Sequence, residues 1–306
     1  MLLKLPPLLF GALISLPLLS CAVSGPVIPA GTAAAPATVP AREAARPRPI
    51  VPQTPPPAVS AESGILVDAV TGRILAAKNA EERRAVASTQ KLLTALLTVE
   101  AGNLDKIVTI TEADTRVEPS KLYLRPGETY PRRALLKAIL VKSANDAAMA
   151  LARDVGGSAE GFASMMNRRA LRLGMTSSHF KNPHGLTEAG QFSTARDIAL
   201  LARAAYQRPE IRRYLRVREY QFVHSDGRTK KLENTNELLD QLSYATGMKT
   251  GTTRASGKCL VSSAELNGRV VIAVLLGSTS KTVWNDSEAL LRWALEFPAA
   301  LPVAAE

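Results

Sequence analysis

The sequence has few of the residues that build disulfides and metal sites. Its 306 residues include only two cysteines, Cys21 and Cys259, and three histidines. So few cysteines predict a fold without disulfides, and Cys259, inside the strand-like run GKCLVSS, is expected to be an inert buried thiol. The histidines are not clustered with acidic residues as metal ligands would be. We therefore predict neither a metal site nor a cofactor.

The scarcity of histidine also limits the kinds of hydrolase that the chain can be. A Ser-His-Asp hydrolase needs a histidine base and, in the α/β-hydrolase fold, a G-x-S-x-G turn. The sequence contains no such turn, and His184, in the segment NPHGL, is expected to have a structural role. A catalytic triad of this type is therefore not expected.

Aromatic residues make up only 5% of the chain, although its net charge is +11. A basic balance favours contact with anionic surfaces such as lipid headgroups, acidic polymers or nucleic acid. The arginine pairs Arg168-Arg169 and Arg212-Arg213 are interleaved with apolar residues, and no platform of basic and aromatic side chains accompanies them. We therefore predict no nucleic-acid partner.

Residues 1–20 are predicted to be a signal peptide of the lipoprotein type. Lys4 precedes an apolar run from Leu8 to Leu19, which is too short to span a bilayer. The next segment, Leu18-Leu19-Ser20-Cys21, resembles the bacterial lipobox, in which the cysteine is lipidated. Cleavage by an ordinary signal peptidase after Ala22 is the alternative. We expect an exported protein of the periplasm or cell envelope, tethered to a membrane through lipid on Cys21.

Residues 21–59 are predicted to form an extended linker. Ten of the chain's twenty prolines lie between Pro26 and Pro57, mixed with Ala, Thr and Arg. Such a composition cannot build a core. In polyproline II form, at ~3.1 Å per residue, the roughly 38 residues after Cys21 would reach about 120 Å. The linker would hold a folded domain well away from a membrane.

Residues 60–300 have the composition of a globular domain. GILVDAVTGRILAAKN predicts two strands joined by a turn at Thr71-Gly72, and strands return at YQFVH, GMKTGTT, KCLVSSAEL and RVVIAVLLGS. Helical spacing marks Ser88 to Glu100, most of the segment between the two groups of strands, and Asp286 to Phe297. We predict an α/β (α+β) fold in which an antiparallel sheet built from both termini is flanked by helices, with a helical subdomain inserted.

Three short motifs follow one another along the chain: Ser88-x-x-Lys91, Ser143-x-Asn145 and Lys249-Thr250-Gly251. The first is weak by itself, because Ser278-x-x-Lys281 repeats it and a serine at a helix start is more often a cap than a nucleophile. The other two motifs occur once each. Their order after the helix-borne Ser-x-x-Lys favours a catalytic interpretation.

The spacing of the first motif suits a nucleophile and its base. Residues three apart on a helix share a face, so the Lys91 amine can lie beside the Ser88 hydroxyl. The positive end of the helix dipole favours a developing anion. To act near neutrality, the lysine pKa must fall from ~10.4 to about 7–8, a difference of about 4 kcal/mol. Partial burial and a second cation would lower this pKa, and Lys249 is the obvious candidate.

The other two motifs suit the handling of a substrate. Ser143 and Asn145, at a break between two predicted helices, are placed to relay a proton and to position the substrate. Lys249 and Thr250 offer a positive charge and a hydroxyl to a carboxylate. Gly251 has no side chain and would let a substrate backbone lie along the strand edge.

The three motifs are those of the serine penicillin-binding proteins and class A β-lactamases. Longer segments resemble the D-alanyl-D-alanine carboxypeptidases, the low-molecular-mass penicillin-binding proteins of peptidase family S11. These segments include LVKSANDAAMALA, MNRRALRLGMTSSHFKNPHGLTEAGQFSTARDIALLAR and GMKTGTTRASGKCLVSSAELNGRVVIAVLLGS. The resemblance covers residues 63–297 and implies a β-lactamase/transpeptidase-like fold.

The resemblance implies a peptidase that acts on peptidoglycan and remodels the cell wall. Ser88 would form an acyl-enzyme with the penultimate D-alanine of a stem peptide that ends in D-Ala-D-Ala. Lys91 would be the proton acceptor, and Ser143 would pass a proton to the leaving group. β-Lactams would acylate the same serine and act as inhibitors.

The resemblance also implies the residues that bind the substrate. Asn145 would contact the substrate amide, and Lys249 with Thr250 would hold the terminal carboxylate. The backbone N–H groups of Ser88 and Thr252 would form the oxyanion hole. With Gly251, these residues complete the predicted site.

Three alternatives remain open. Class A β-lactamases have Asp in the second motif where this chain has Ala144, and LENTNELL (residues 232–239) is too late in the chain to supply their deacylating Glu. A DD-endopeptidase, which cuts peptidoglycan cross-links, is closer, because we expect no C-terminal β domain after the last helix. An inactive peptidoglycan-binding protein would have no need to keep Ser88 and Lys91.

Overall fold

The computed structural model describes residues 54–296, and its centre is a five-stranded antiparallel sheet. Its strands are β1 (Ser63–Asp68), β2 (Ile74–Lys78), β7 (Ala245–Thr253), β8 (Gly257–Leu266) and β9 (Arg269–Ser278). Their order across the sheet is β2-β1-β9-β8-β7. The first strand of the domain thus pairs along its whole length with the last one, β9. The prediction of a sheet built from both termini is confirmed.

Both faces of this sheet are covered by side chains from the rest of the domain. Along β9, alternate residues belong to two separate cores, Ile272, Val274 and Leu276 to one and Val271, Ala273 and Leu275 to the other. Successive side chains of a strand point to opposite faces, so a strand buried on both sides is a continuous apolar run. This explains the sequence RVVIAVLLGS.

The second face of the sheet is covered by the last helix, α9 (Val283–Glu296), which contacts β8 and β9. The sequence predicts this helix from Asp286 to Phe297. It begins three residues earlier, with Val283 and Trp284 already packed in the second core, and Phe297 lies outside the described residues.

The elements between β2 and β7 form the inserted helical subdomain. Its helices are α1 (Lys91–Glu100), α2 (Glu112–Thr115), α3 (Arg132–Val141), α4 (Asn145–Gly156), α5 (Ala159–Arg172), α6 (Ala195–Tyr206), α7 (Pro209–Leu215) and α8 (Leu238–Gln241). Two hairpins accompany them: β3 (Ile107–Thr109) with β4 (Thr129–Pro131), and β5 (Glu219–Val223) with β6 (Thr229–Glu233). The segment YQFVH is therefore a strand, as predicted, but it pairs with β6 outside the main sheet.

Helix α1 runs through the middle of the subdomain. Its residues from Lys91 to Thr98 are all buried, and it contacts α3, α4, α5 and α6. The helix is thus buried on all sides, and each of its buried leucines contributes about 1.5–3 kcal/mol. The predicted α-helix from Ser88 is wrong at its start, because residues Ala87–Gln90 form a 3-10 turn and the α-helix begins at Lys91.

The end of the predicted linker is in contact with the domain. Trp293 Nε1 donates to the Thr54 carbonyl at 3.1 Å, and Lys78 Nζ donates to the Val59 carbonyl at 2.8 Å. The predicted signal peptide, Cys21 and the rest of the linker lie outside the described residues. Within residues 54–296, every helix is too short or too polar to cross a membrane.

Candidate active site

The first motif brings the Ser88 hydroxyl and the Lys91 amine together. Lys91 Nζ donates to Ser88 Oγ at 2.7 Å, and this hydroxyl donates to the His184 carbonyl oxygen at 3.2 Å. In the described part of the chain, no backbone amide bonds to the Ser88 side chain. Ser88 is therefore not a helix cap, so the interpretation of the motif as a capping serine does not apply.

The Lys91 amine is completely buried and fully hydrogen-bonded. Besides Ser88, it donates to Asn145 Oδ1 at 2.7 Å and to the His184 carbonyl at 2.6 Å, and the side chain has an exposed fraction of 0%. An ammonium group has three donors and no acceptor. All three donors have partners, as a buried charge requires.

The surroundings of Lys91 make it a better base. Burial holds its pKa well below the usual range, the positive charge of Lys249 lowers the pKa further, and the carboxylate of Asp146 opposes the shift. Burial and the charge of Lys249 are both predicted from the sequence, and burial is the larger cause. A lysine with a lowered pKa is more often neutral near pH 7 and then accepts a proton.

The second motif lies where α3 ends and α4 begins. Ser143 is buried and has a φ of +65°, a left-handed conformation that is uncommon outside glycine. Asn145 Oδ1 accepts from Lys91, and its Nδ2 donates to the Glu118 carbonyl at 2.8 Å. Both ends of the amide therefore bind the protein. Asn145 positions Lys91, a role that sequence reasoning missed, whereas its contact with a substrate stays a prediction.

The third motif lies on β7. The Lys249 side chain is 1% exposed and donates to the carbonyl of its neighbour Thr250 at 2.9 Å. Burial, and to a smaller extent the charge of Lys258, lowers the pKa of Lys249 to about 7. The Thr250 hydroxyl lies 2.6 Å from the hydroxyl of Thr235. Thr235 belongs to LENTNELL, so sequence reasoning missed its contact with the site.

Two glycines allow neighbouring segments to approach the Ser88 backbone closely. A Cβ atom at Gly251 would lie 2.8 Å from the Ser88 nitrogen, and one at Gly185 would lie 2.1 Å from the Ala87 carbonyl oxygen. Both distances are too short for real contacts, and Gly185 also has a φ of +88°, which glycine alone adopts readily. The 3-10 turn is therefore held between β7 and the loop after His184. Gly251 accommodates this turn, and its predicted contact with a substrate backbone stays a prediction.

Thr252 follows these residues at the exposed end of β7. Its hydroxyl donates to the Gly251 carbonyl at 2.8 Å. The next strand residue, Thr253, contacts the Thr187 hydroxyl at 3.1 Å across the loop after His184. The role of the Thr252 N–H in an oxyanion hole stays a prediction.

His184 contributes its backbone rather than its imidazole. The ring Nδ1 accepts from the Leu186 amide at 3.2 Å, and burial together with the charge of Lys91 lowers the pKa of His184 to about 3. The imidazole is therefore neutral near pH 7. The carbonyl oxygen of His184 accepts from both Ser88 and Lys91, and a backbone contact of this kind leaves no signature in the sequence.

Among the described residues, Ser278 and Cys259 take no part in the hydrogen bonds of this cluster, although Cys259 lies opposite Gly251 in the pairing of β7 with β8. Ser278 shares a hydrogen bond of 3.2 Å with the Thr282 hydroxyl, so the second Ser-x-x-Lys is not a nucleophile–base pair. Cys259 is buried and burial raises the pKa of its thiol, as expected of an inert cysteine. Within residues 54–296, no three His, Cys, Asp or Glu side chains are grouped in a way that could hold a metal ion.

A comparison with known proteins identifies the family. The profile of the D-alanyl-D-alanine carboxypeptidases, Peptidase S11, matches residues 50–280. The chain belongs to this carboxypeptidase family. The resemblance stated from the motifs is thereby confirmed.

Individual members of the family match over most of this chain. D-alanyl-D-alanine carboxypeptidase DacC of Escherichia coli (strain K12) is 38% identical over 256 residues, which are 79% of this chain and 62% of DacC. D-alanyl-D-alanine carboxypeptidase DacF of Bacillus subtilis (strain 168) is 36% identical over 225 residues, 72% of this chain and 58% of DacF. The chain thus spans about three fifths of the length of these curated relatives.

The fold is also found among solved structures of the family. The D-alanyl-D-alanine carboxypeptidase from Mycobacterium tuberculosis H37Rv superposes with a TM-score of 0.77 and 30% identity, over 82% of this chain and 98% of that chain. The predicted β-lactamase/transpeptidase-like fold class is confirmed.

Replacing Ser88 by Ala should lower the free energy of unfolding by about 1 kcal/mol at most, because both of its hydrogen-bond partners keep others: the His184 carbonyl still accepts from Lys91, and Lys91 still donates to Asn145. Thr89→Ala is the matched control. The Thr89 hydroxyl is fully buried and donates to the Val86 carbonyl at 2.6 Å, so its loss should cost about 1–3 kcal/mol. Urea denaturation measures both. A larger loss for Ser88→Ala than for Thr89→Ala would show that Ser88 is mainly structural.

Proposed function

We propose that this chain is a serine-type D-Ala-D-Ala carboxypeptidase that removes the terminal D-alanine from peptidoglycan stem peptides. The observation that carries the proposal is the 2.7 Å contact between Ser88 Oγ and Lys91 Nζ, in surroundings that lower the lysine pKa. A nucleophile in contact with an activated base is the arrangement that covalent catalysis requires. Membership of the carboxypeptidase family supports the substrate class.

In the proposed acylation, neutral Lys91 takes the Ser88 proton as Ser88 Oγ bonds to the carbonyl carbon of the penultimate D-alanine. The N–H groups of Ser88 and Thr252 stabilise the oxyanion. The peptide C–N bond then breaks, and the D-alanine amine leaves with a proton passed on through Ser143. Water hydrolyses the ester while Lys91 again accepts a proton, which releases the shortened peptide and restores Ser88.

We assign recognition of the terminal carboxylate to Lys249 and Thr250. In the free protein, a pKa of about 7 leaves Lys249 only partly charged at neutral pH. A bound carboxylate favours the charged form of a neighbouring lysine, so the ion pair would form together with the complex. The Thr250 hydroxyl is already held by Thr235, which fixes its position for a carboxylate oxygen.

The reaction itself is tested with purified muropeptides and mass analysis. We expect pentapeptides to lose one D-alanine, and Ser88→Ala to abolish both this turnover and labelling by a fluorescent penicillin. Ser278→Ala, at the second Ser-x-x-Lys, is the control and should retain both. Conversion of cross-linked dimers to monomers would instead support the DD-endopeptidase. Folded protein that gives neither product nor label would contradict the proposed function and leave the inactive binding protein.

The two lysines predict a bell-shaped dependence of kcat/KM on pH. Activity rises with pH as Lys91, whose pKa is lowered, loses its proton, and it falls above about pH 7 as Lys249 loses its own. Lys249→Arg keeps a positive charge throughout, so its alkaline limb should move upward by at least about one pH unit. Exposed Lys231→Arg is the control and should leave the profile unchanged. If kcat/KM of the Lys249→Arg variant fell at the same alkaline pH as that of the wild type, the fall would belong to another group.

We further propose that residues 1–20 direct export, that Cys21 is lipidated, and that residues 21–59 tether the domain of residues 60–300 in the cell envelope. The segment LLSC and the proline-rich composition support this proposal. Cys21→Ala should lose metabolic labelling with radioactive palmitate and move from the membrane to the soluble fraction. Cys259→Ala, the control, should keep both properties. Unlabelled wild-type protein in the soluble fraction would refute the tether.

A further inference from the structure

The segment of residues 118–124 is fixed to the beginning of helix α4. The backbone N–H of Asn145 donates to the Ser120 carbonyl at 2.7 Å. The buried Asp146 carboxylate accepts from the three successive amides of residues 122–124, at 3.1, 2.9 and 3.2 Å. Since Asn145 also contacts Lys91, this segment borders the catalytic cluster. The contacts with Asn145 are made by the carbonyl groups of Glu118 and Ser120.

Tyr123 is the residue that this segment presents. Its neighbours Leu122 and Leu124 are buried, whereas Tyr123 is 61% exposed. Its φ of +63° lies in the left-handed region, which a bulky residue adopts only when the surrounding structure imposes it. The hydrogen bonds to Asp146 impose it here. A ring as exposed as this one contributes little to the core, and residues with a strained backbone cluster at ligand sites.

Two lysines lie on the Tyr123 ring. Lys121 Nζ is 5.6 Å from the ring centroid, and Lys230 Nζ, from β6, is 5.0 Å from it. Neither lysine forms a salt bridge with a carboxylate among the residues that the structure describes. The nearby Arg228, in contrast, is neutralised by Asp226 and Glu128. Two lysine ammonium groups without a carboxylate partner among the described residues therefore lie next to the Tyr123 ring.

The ring and Lys230 line a cavity of ≈ 440 Å³ that is open to solvent, together with Leu122, His224, Arg228 and Thr229. Its walls are fixed to one another. The Tyr130 hydroxyl of β4 lies 3.2 Å from His224 Nδ1 and donates to Glu128 at 2.8 Å, and Glu128 in turn accepts from Arg228 at 3.1 Å. Glu128 also accepts from the backbone N–H of Arg125 at 2.8 Å, so this network joins the β5–β6 hairpin to β4 and to the residue that follows the Tyr123 segment.

We propose that Tyr123, Lys121 and Lys230 form a subsite for a carboxylate that the peptide substrate carries outside its D-Ala-D-Ala end. The ring would pack on the aliphatic part of that substrate residue, and the two ammonium groups would bind its carboxylate. The subsite rests on the proposed function, because it needs a peptide bound at Ser88. It makes the enzyme selective for acidic over amidated stem peptides.

The test uses two pentapeptides that end in D-Ala-D-Ala and differ only in a free carboxylate or a carboxamide on the second residue. For the wild type, kcat/KM should favour the acidic peptide about fivefold, and less in about 0.5 M salt, where exposed charges are screened. The double variant Lys121→Ala/Lys230→Ala should turn over both peptides equally well. Tyr123→Ala should lower kcat/KM for the acidic peptide, and Tyr123→Phe should not.

Lys231→Ala is the matched control, because Lys231 is the next residue of β6 and pairs with Glu219 at 2.6 Å. It should keep the wild-type preference. Equal turnover of the two peptides by the wild type overturns the subsite and leaves the carboxypeptidase intact. A preference that persists in the double variant overturns the assignment to these lysines. No turnover of either peptide overturns the carboxypeptidase, and the subsite with it.

Discussion

The Lys91 amine lies inside the helical subdomain, and its three hydrogen bonds join three separate parts of the chain. Ser88 comes from the 3-10 turn, Asn145 from the start of α4, and the His184 carbonyl from the loop before α6. A buried amine is stable only when each N–H finds an acceptor, so these segments must all be in place. Burial of the Lys91 amine requires three hydrogen-bond acceptors, and it also lowers the pKa of the amine. The same burial therefore fixes the surrounding segments and makes Lys91 a better base.

A second buried lysine, Lys249, adds to the positive charge at the site. Lys249 and Lys91 are both at most 1% exposed, and the positive charge of Lys249 lowers the pKa of Lys91. The buried carboxylate nearby, Asp146, is occupied by the amides of residues 122–124. The free protein therefore keeps two amines in surroundings that disfavour their charges. In the proposed function, an anionic substrate would favour the charged form of Lys249, so substrate recognition and the activation of Lys91 would depend on the same charges.

The sequence predicts the sheet and the motif cluster because both depend on local patterns: apolar runs, and spacings that put two residues on one helix face. It does not predict the 3-10 turn, because the φ of +48° at Ala87 accompanies close contacts with Gly185 and Gly251, far away in the sequence. The contacts of the His184 carbonyl and of Thr235 are not predicted from the sequence for a related reason. A backbone acceptor has no residue signature, and a threonine in a loop gains its meaning only from its distant partner, Thr250.

The pairing of β1 with β9 joins the two ends of the domain. A chain that leaves a ribosome or a narrow channel with its N-terminus first presents β1 long before β9 exists. Until then, Ile65, Leu66 and Val67, all buried in the finished sheet, have no central strand to cover them. Such long-range pairings form slowly, and exposed apolar strands associate with one another. The newly made chain therefore exposes an aggregation-prone strand until its last strand has emerged.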